Sequence, residues 1–415
     1  MLPNIARRLL FAATLSVPTL AGGLALADPA PPFAELLRQA QATAPRLAEA
    51  RAEIARAEGL ARQARALPNP TVGVEVENFS ASNGLDIAET TASVEQIIEL
   101  GGKRTARISA GRAEVEAARR RAARVQAEYA FDLAAAYAEA EGAERRLQLA
   151  TEGLELAQED ARIAAALVEA GREADLRRVQ ARAAVQAARA AVDEAKAARA
   201  TAFANLTALA GAPSPITSIP TSLLDDAGRA FAPLAPNPLA SPSYLAAEAE
   251  REAAARRVRV ERAQAVPDVT VSVGVRRIQE ADATAMLAGV SMPFPLFDRN
   301  RGNISAARAE LNAAEARLNA ARLEAEAAAR SVVARVTAAE TRLAAAREGE
   351  RTAEEAYRLT RLGYEGGKLA LVELLNARRA LTEARTQTIE AATERLSAQA
   401  ALARLAGVAP FGDQP

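Results

Sequence analysis

The sequence predicts a mainly α-helical protein built as two similar halves, each a set of long coiled-coil helices carrying a β-hairpin of the membrane-barrel type. Three observations predict it. Ile108-Ser109-Ala110 returns as Ile304-Ser305-Ala306, and Leu206–Gly211 (LTALAG) returns as Leu402–Gly407 (LARLAG), both at a spacing of 196 residues. Valines alternate with polar residues in one short stretch of each half. The composition is rich in Ala, Arg, Glu and Leu with only 3% aromatic residues, the mixture of long packed helices.

The repeat extends over most of each half. Arg112 and Arg308, Glu114 and Glu310, Gly171 and Gly367, and Ala174 and Ala370 keep the spacing of 196. Pro68-Asn69-Pro70-Thr71-Val72 resembles Pro267-Asp268-Val269-Thr270-Val271 at 199, so the second half is shorter between these points. A unit this long is not a solenoid repeat; it is a duplicated half-molecule. The expected division is an export signal at 1–27, a first repeat at 28–211, a Pro-rich linker at 212–243, a second repeat at 244–407 and a tail at 408–415.

Arg7 and Arg8 precede an apolar run from Leu9 to Leu26 that ends Ala25-Leu26-Ala27, the pattern of a cleaved secretory signal. A single membrane-anchoring helix is the alternative, weakened by Pro18 and the small residues. No later run is long and apolar enough to span a bilayer as a helix, so a spanning chain would have to use strands of a closed barrel.

Composition excludes several functions. Lys plus Arg equals Asp plus Glu at 52 each, so there is no basic footprint for nucleic acid. The absence of His and Cys removes the common transition-metal ligands and the usual general base. Gly101-Gly102-Lys103 lacks the earlier glycine and the following Ser or Thr of a phosphate loop. It reads as a tight strand-to-helix junction that needs glycine freedom. No catalytic set and no cofactor site is expected.

Each half is expected to begin with a helix, about 33–66 and 244–265, stopped by Pro68 and Pro70 or by Pro267. Val72, Val74 and Val76, and later Val269, Val271, Val273 and Val275, then alternate with polar residues, which gives strands with one apolar and one polar face. Polar loops near 79–88 and 277–283 lead to return strands near 89–98 and 284–292. Strands of this length cross a bilayer when tilted; a pair of small soluble hairpins is the alternative. Long helices follow, about 105–169 and, after Gly171, 173–210. At ~1.5 Å per residue the longer spans about 98 Å, nearly the sum of two shorter ones laid end to end. Heptad spacing of Leu147 and Leu154, Ile163 and Ala170, Leu311 and Leu318, and Val336 and Leu343 favours coiled-coil packing. Four strands are too few to close a barrel around a channel, so the chain must oligomerise to make one.

These residues resemble the TolC family of outer-membrane efflux proteins over essentially the whole chain after the signal. The most specific pieces are IELGGKR at Ile98–Arg104 and PLFDRNRGNI at Pro295–Ile304, which look most like the heavy-metal branch, similar to the outer-membrane component of cobalt-zinc-cadmium efflux systems. The resemblance implies a homotrimer with a 12-stranded β-barrel in the outer-membrane lipid and a periplasmic α-barrel below it. It also implies a periplasmic adaptor and an inner-membrane pump of the RND type as partners. Two departures stand out: relatives often carry an acylated Cys at the mature N-terminus, and the aromatic girdle here reduces to Phe79, Phe294 and Phe297. Ordinary packing at strand ends would explain those three equally well.

The tips where long helices reverse carry Gly171, Gly363, Gly366 and Gly367. The resemblance makes Gly171, Leu176, Gly363, Gly367, Leu371 and Val372 the adaptor-docking tip. It makes Glu373 a constriction residue, with Asn376 uncharged at the next such position. Three copies of Glu373 would form a carboxylate ring favouring cations; a solvated helix charge is the plain alternative. Asp175, Arg177 and Arg178 stand at the equivalent tip of the first half, where pairing with Glu373 would latch the mouth. Gly101, Gly102, Pro295 and Phe297 mark the two strand-to-helix junctions. A drug-exporting duct, or a periplasmic coiled-coil scaffold, are the competing functions.

Overall fold

The computed structural model describes residues 28–78, 88–225, 236–366 and 368–411. The expected signal at 1–27, Phe79 with most of the 79–88 loop, and Gly367 therefore lie outside the described residues.

Two helices of similar great length form the frame: α3 (Lys103–Glu169, 67 residues) and α6 (Arg301–Glu365, 65 residues). At ~1.5 Å per residue each is a rod about 100 Å long. The shorter helices are α1 (Phe33–Thr43), α2 (Pro45–Gln63), α4 (Asp175–Ala210), α5 (Pro242–Gln264) and α7 (Leu371–Ala406). The single helix expected over 33–66 is two helices. Ala44 turns extended (ψ 127°) because Pro45 follows it, and Pro45 then starts α2. The residue before proline avoids the helical region, whereas proline itself suits a first helical position.

Both halves end their last helix alike. Gly211 and Gly407 adopt left-handed conformations, and the next residue donates its N–H back to Thr207 O or Ala403 O. That is the Schellman cap, and it explains why LTALAG and LARLAG both end in glycine. Gly171 closes α3 in the same way, with Arg172 N donating to Leu167 O at 2.9 Å.

The strands β2 (Thr71–Glu77), β3 (Glu89–Ile98), β5 (Val269–Ile278) and β6 (Ala283–Ser291) make one antiparallel sheet in the order β2-β3-β5-β6. The second loop is shorter than the expected 277–283, since Arg277, Ile278 and Ala283 are paired in the ladder. Beside the sheet the helices keep the same order: α2 packs on α3, α3 on α5, and α5 on α6. Farther from it the order is α4, α3, α7, α6. One continuous rod is thus flanked by a shorter helix near the sheet and another below it.

The seam is built mainly from alanine. The heptad period holds, but Ile163 and Ala170 are exposed, and the buried ladder runs through Ala157 and Ala164 and through Ala325, Val332 and Ala339. Small side chains let backbones approach closely, so the period survives while its members change.

Larger side chains gather at one waist. Phe33, Leu36, Leu37, Tyr129, Leu133, Tyr137, Phe203 and Leu206 form the main apolar cluster. There the linker lies against α3. Tyr137 donates to Thr221 O (3.0 Å), and Glu141, only 3% exposed, accepts from Ser222 Oγ, Leu223 N (2.9 Å) and Leu224 N. Arg145 pairs with Asp225, and Arg199 reaches Glu144 and Thr217 O. A two-residue strand β1 (Asp28–Pro29) pairs in parallel with β4 (Ile216–Ser218) of the linker.

Candidate channel surfaces

The sheet presents two unlike faces. Rows in register read Val72, Val94, Val273, Ala288 and then Val74, Ala92, Val275, Met286 on one face. On the other they read Thr71, Glu95, Ser272, Gly289 and then Glu75, Thr91, Arg276, Ala285. The apolar face is bare: Val72 is 74% exposed. An apolar outer face over a polar inner one is what a membrane barrel requires. The polar face carries Glu75, Glu77, Glu89 and Glu95 against one Arg276, which bonds Glu77 (3.2 Å), Glu89 (2.8 Å) and Thr91 Oγ1 (2.9 Å). Among the described residues no helix is long and apolar enough to cross a membrane.

The two strand-to-helix junctions are held by different means. Gly101 and Gly102 both have positive φ (65° and 71°), and a Cβ on Gly101 would lie 2.7 Å from the Val266 side chain. Asp268, at the foot of β5, accepts from Leu100 N (3.1 Å) and pairs with Lys103 (2.8 Å), tying the first junction to the second half. Arg107 pairs with Glu99, and Arg104 donates to Arg65 O. In the second half Asn300 takes the left-handed position and its amide reaches Glu261 O and Oε2 (2.8 and 2.9 Å). Pro295 O accepts from Arg299, while Phe294 and Phe297 stand free of the fold. Sequence reasoning found these two motifs and missed what Glu99, Lys103 and Asp268 do in them.

At the far tip the picture differs from expectation in three ways. Leu371 is 2% exposed and packs with Leu374 against Ala164 and Ala181, so it is core and not a docking surface. Leu176 (62% exposed) and Val372 do face solvent, as do Val179 and Leu369. Gly363 is inside the last turn of α6 and not in the reversal; a Cβ there would meet Leu369 Cδ1 at 2.6 Å. Its carbonyl accepts from Lys368 N (2.8 Å) and Leu369 N, which turns the chain. Finally, no latch forms within one copy. Asp175 pairs with Arg178 (2.5 Å), Arg177 stands 3.7 Å from Glu173, and among the described residues Glu373 makes no ion pair. Glu373 and Asn376 are both exposed on the first turns of α7.

A group the sequence did not suggest ties the tip together. Arg378 on α7 pairs with Asp160 on α3, both largely buried, and Arg361 on α6 approaches Glu159 at 3.6 Å. Burial pushes the Asp160 carboxyl above its ordinary range, against the pull of Arg378. The Tyr357 and Tyr364 hydroxyls are likewise pushed up by burial. Nearer the sheet, burial raises Glu114 but Arg121 (3.0 Å) and Arg257 (2.6 Å) outweigh it and hold its carboxyl low. Among the described residues no group of three or more His, Cys, Asp or Glu is placed to hold a metal.

A sheet of this two-faced kind on rods about 100 Å long defines an outer-membrane duct with a periplasmic helical extension. The chain belongs to the outer membrane efflux protein family, whose model matches residues 36–212 and 239–408. It is an efflux channel of the outer membrane and not an enzyme. It is 46% identical over 287 residues to the nickel and cobalt resistance protein CnrC of Cupriavidus metallidurans, spanning 68% of each chain. It is 45% identical over 290 residues to the nickel-cobalt-cadmium resistance protein NccC of Alcaligenes xylosoxydans xylosoxydans, spanning 69% of this chain and 66% of that one. Its fold matches the outer membrane protein VceC of Vibrio cholerae with a TM-score of 0.73 at 21% identity, over 91% of this chain and 96% of that one. Channels of this family are trimers that work within tripartite efflux assemblies.

Proposed function

We propose that three copies of this chain close into one duct that carries divalent heavy-metal cations out of the cell. The observation that supports it best is the agreement of two layers. The sheet leaves β2 and β6 unpaired at its edges, and the helices beside it leave α2 and α6 unpartnered on the same two sides. Three such units, joined β6 to β2 and α6 to α2, give a closed 12-stranded barrel above a ring of helices. The apolar rows face lipid and the carboxylate-bearing rows face the lumen. Residues 1–27 serve as the export signal, 28–211 and 244–407 as the two repeats, 212–243 as the belt between them and 408–415 as the tail.

Metal cargo rests on the resistance proteins to which the chain is similar. An inner-membrane RND pump supplies the cation and sets metal specificity, and a periplasmic adaptor docks on the tip around Gly171, Leu176 and Val372. Glu373 projects into the mouth, where three carboxylates around a narrow pore favour cations. Single-channel recording on assembled trimers tests this. Glu373→Gln should lower the preference for cations over anions, and Glu373→Lys should move it toward anions. Unchanged selectivity in both variants would make Glu373 an ordinary surface charge.

A further inference from the structure

β6 leaves the sheet at Ser291, and the chain continues Met292-Pro293-Phe294-Pro295-Leu296-Phe297 before α6 begins. Phe294, Leu296 and Phe297 are all more than half exposed, and Phe297 is 96% exposed. Pro293 and Pro295 flank Phe294 and restrict the backbone there. On the opposite edge, Leu60 in the last turn of α2 and Leu67 just before β2 are also more than half exposed. Large apolar side chains concentrated at one place on an exposed surface call for a partner. The two patches sit at the same level, because β2 begins and β6 ends at the helix end of the sheet.

We propose that Phe294, Leu296 and Phe297 of one copy seat on Leu60 and Leu67 of the next, making an apolar joint where the barrel meets the helices. This rests on the three-copy reading above. When the β6 edge of one copy meets the β2 edge of another, the two strands run antiparallel. The segment just after β6 then lies beside the segment just before β2. The five residues therefore face each other by continuity with the strand pairing. Lipid is the lesser occupant. The lipid-facing rows of Val72 and Val74 lie within the paired strands, Val72 at the second position of β2, whereas both patches lie beyond the strand ends and on the edges. A ring with three such joints locks the angle between barrel and helices, and it uses residues that a single copy leaves in water.

The absence of cysteine makes a direct test possible. Leu67→Cys and Phe297→Cys are placed in the full chain, alone and together, and trimers are extracted from outer membranes and treated with a short bis-maleimide. The double variant should give covalent dimers and trimers on a denaturing gel, and each single variant none. Leu60→Cys with Phe294→Cys is a second pair, used if the first blocks assembly. Trimers by light scattering whose two cysteines react singly but never link would overturn the joint and leave the three-copy duct standing. A natural chain that is monomeric by light scattering would overturn both.

Discussion

At the scale of single residues, several ties between elements are charges placed beside partly buried backbone or opposite charge. Glu114 is the clearest case, since it accepts from Arg121 on its own helix and from Arg257 on α5. Its carboxyl is depressed, so it binds protons less readily folded than unfolded. The stability it contributes is present above the ordinary carboxylate range and is lost as pH falls through its lowered value. Glu114→Gln should therefore cost about 1 kcal/mol at neutral pH, as expected for a hydrogen-bonded, partly solvated pair. Thermal melts of both proteins should converge in acid, below the depressed value. A gap that stays constant from neutral to acid pH would mean that Glu114 acts through shape and not charge. Asp160 runs the other way. Its carboxyl is raised by burial, so the ionised form opposes folding as pH climbs through the interval between its ordinary and raised values.

At the scale of elements, the legible features were those with a local cause. Valine alternation placed β2 and β5, and the polar loops after them placed the return strands, because each reflects a rule within a few residues. Pro45 was an available signal for the break between α1 and α2, and the long apolar period around it concealed it. The linker was harder. Its contacts with Tyr137, Glu141, Arg145 and Arg199 join residues about 18 to 84 positions apart, and nothing in a local pattern marks Glu141 among the other glutamates of an Ala-rich helix. Pairing of β1 with β4 was equally hidden, since two or three residues carry no period. The same distance in sequence explains why Leu371 was taken for surface: its burial depends on Ala164 and Ala181. Glu141 offers a test at this scale. It holds the N–H groups of Leu223 and Leu224, and hydrogen bonds to a buried carboxylate are worth about 1.5–3 kcal/mol each. Glu141→Ala should speed amide hydrogen exchange at 222–225 by an order of magnitude or more, with the sheet unaffected. Unchanged exchange there would mean that the waist cluster alone holds the linker down.

At the scale of the whole molecule, one copy is incomplete by design of its edges. The sheet ends in two unpaired strands, the helices beside it end in α2 and α6, and those farther down end in α4 and α6. Leu323, Val333, Leu359 and Leu362 on α6, and Leu176 and Val179 on α4, remain exposed along those sides. Unpaired strand groups cannot rest in lipid, because the bilayer core offers them no hydrogen bonds. The duplication supplies the economy of the plan: two hairpins and two long rods per copy, repeated three times, fill a ring. The most direct measurement of that claim is the mass, by native mass spectrometry, of the species extracted from outer membranes. The account predicts a single assembly of three processed chains, each lighter than the 43.4 kDa full chain by the removed signal. A monomer that still spans the membrane and conducts would contradict it.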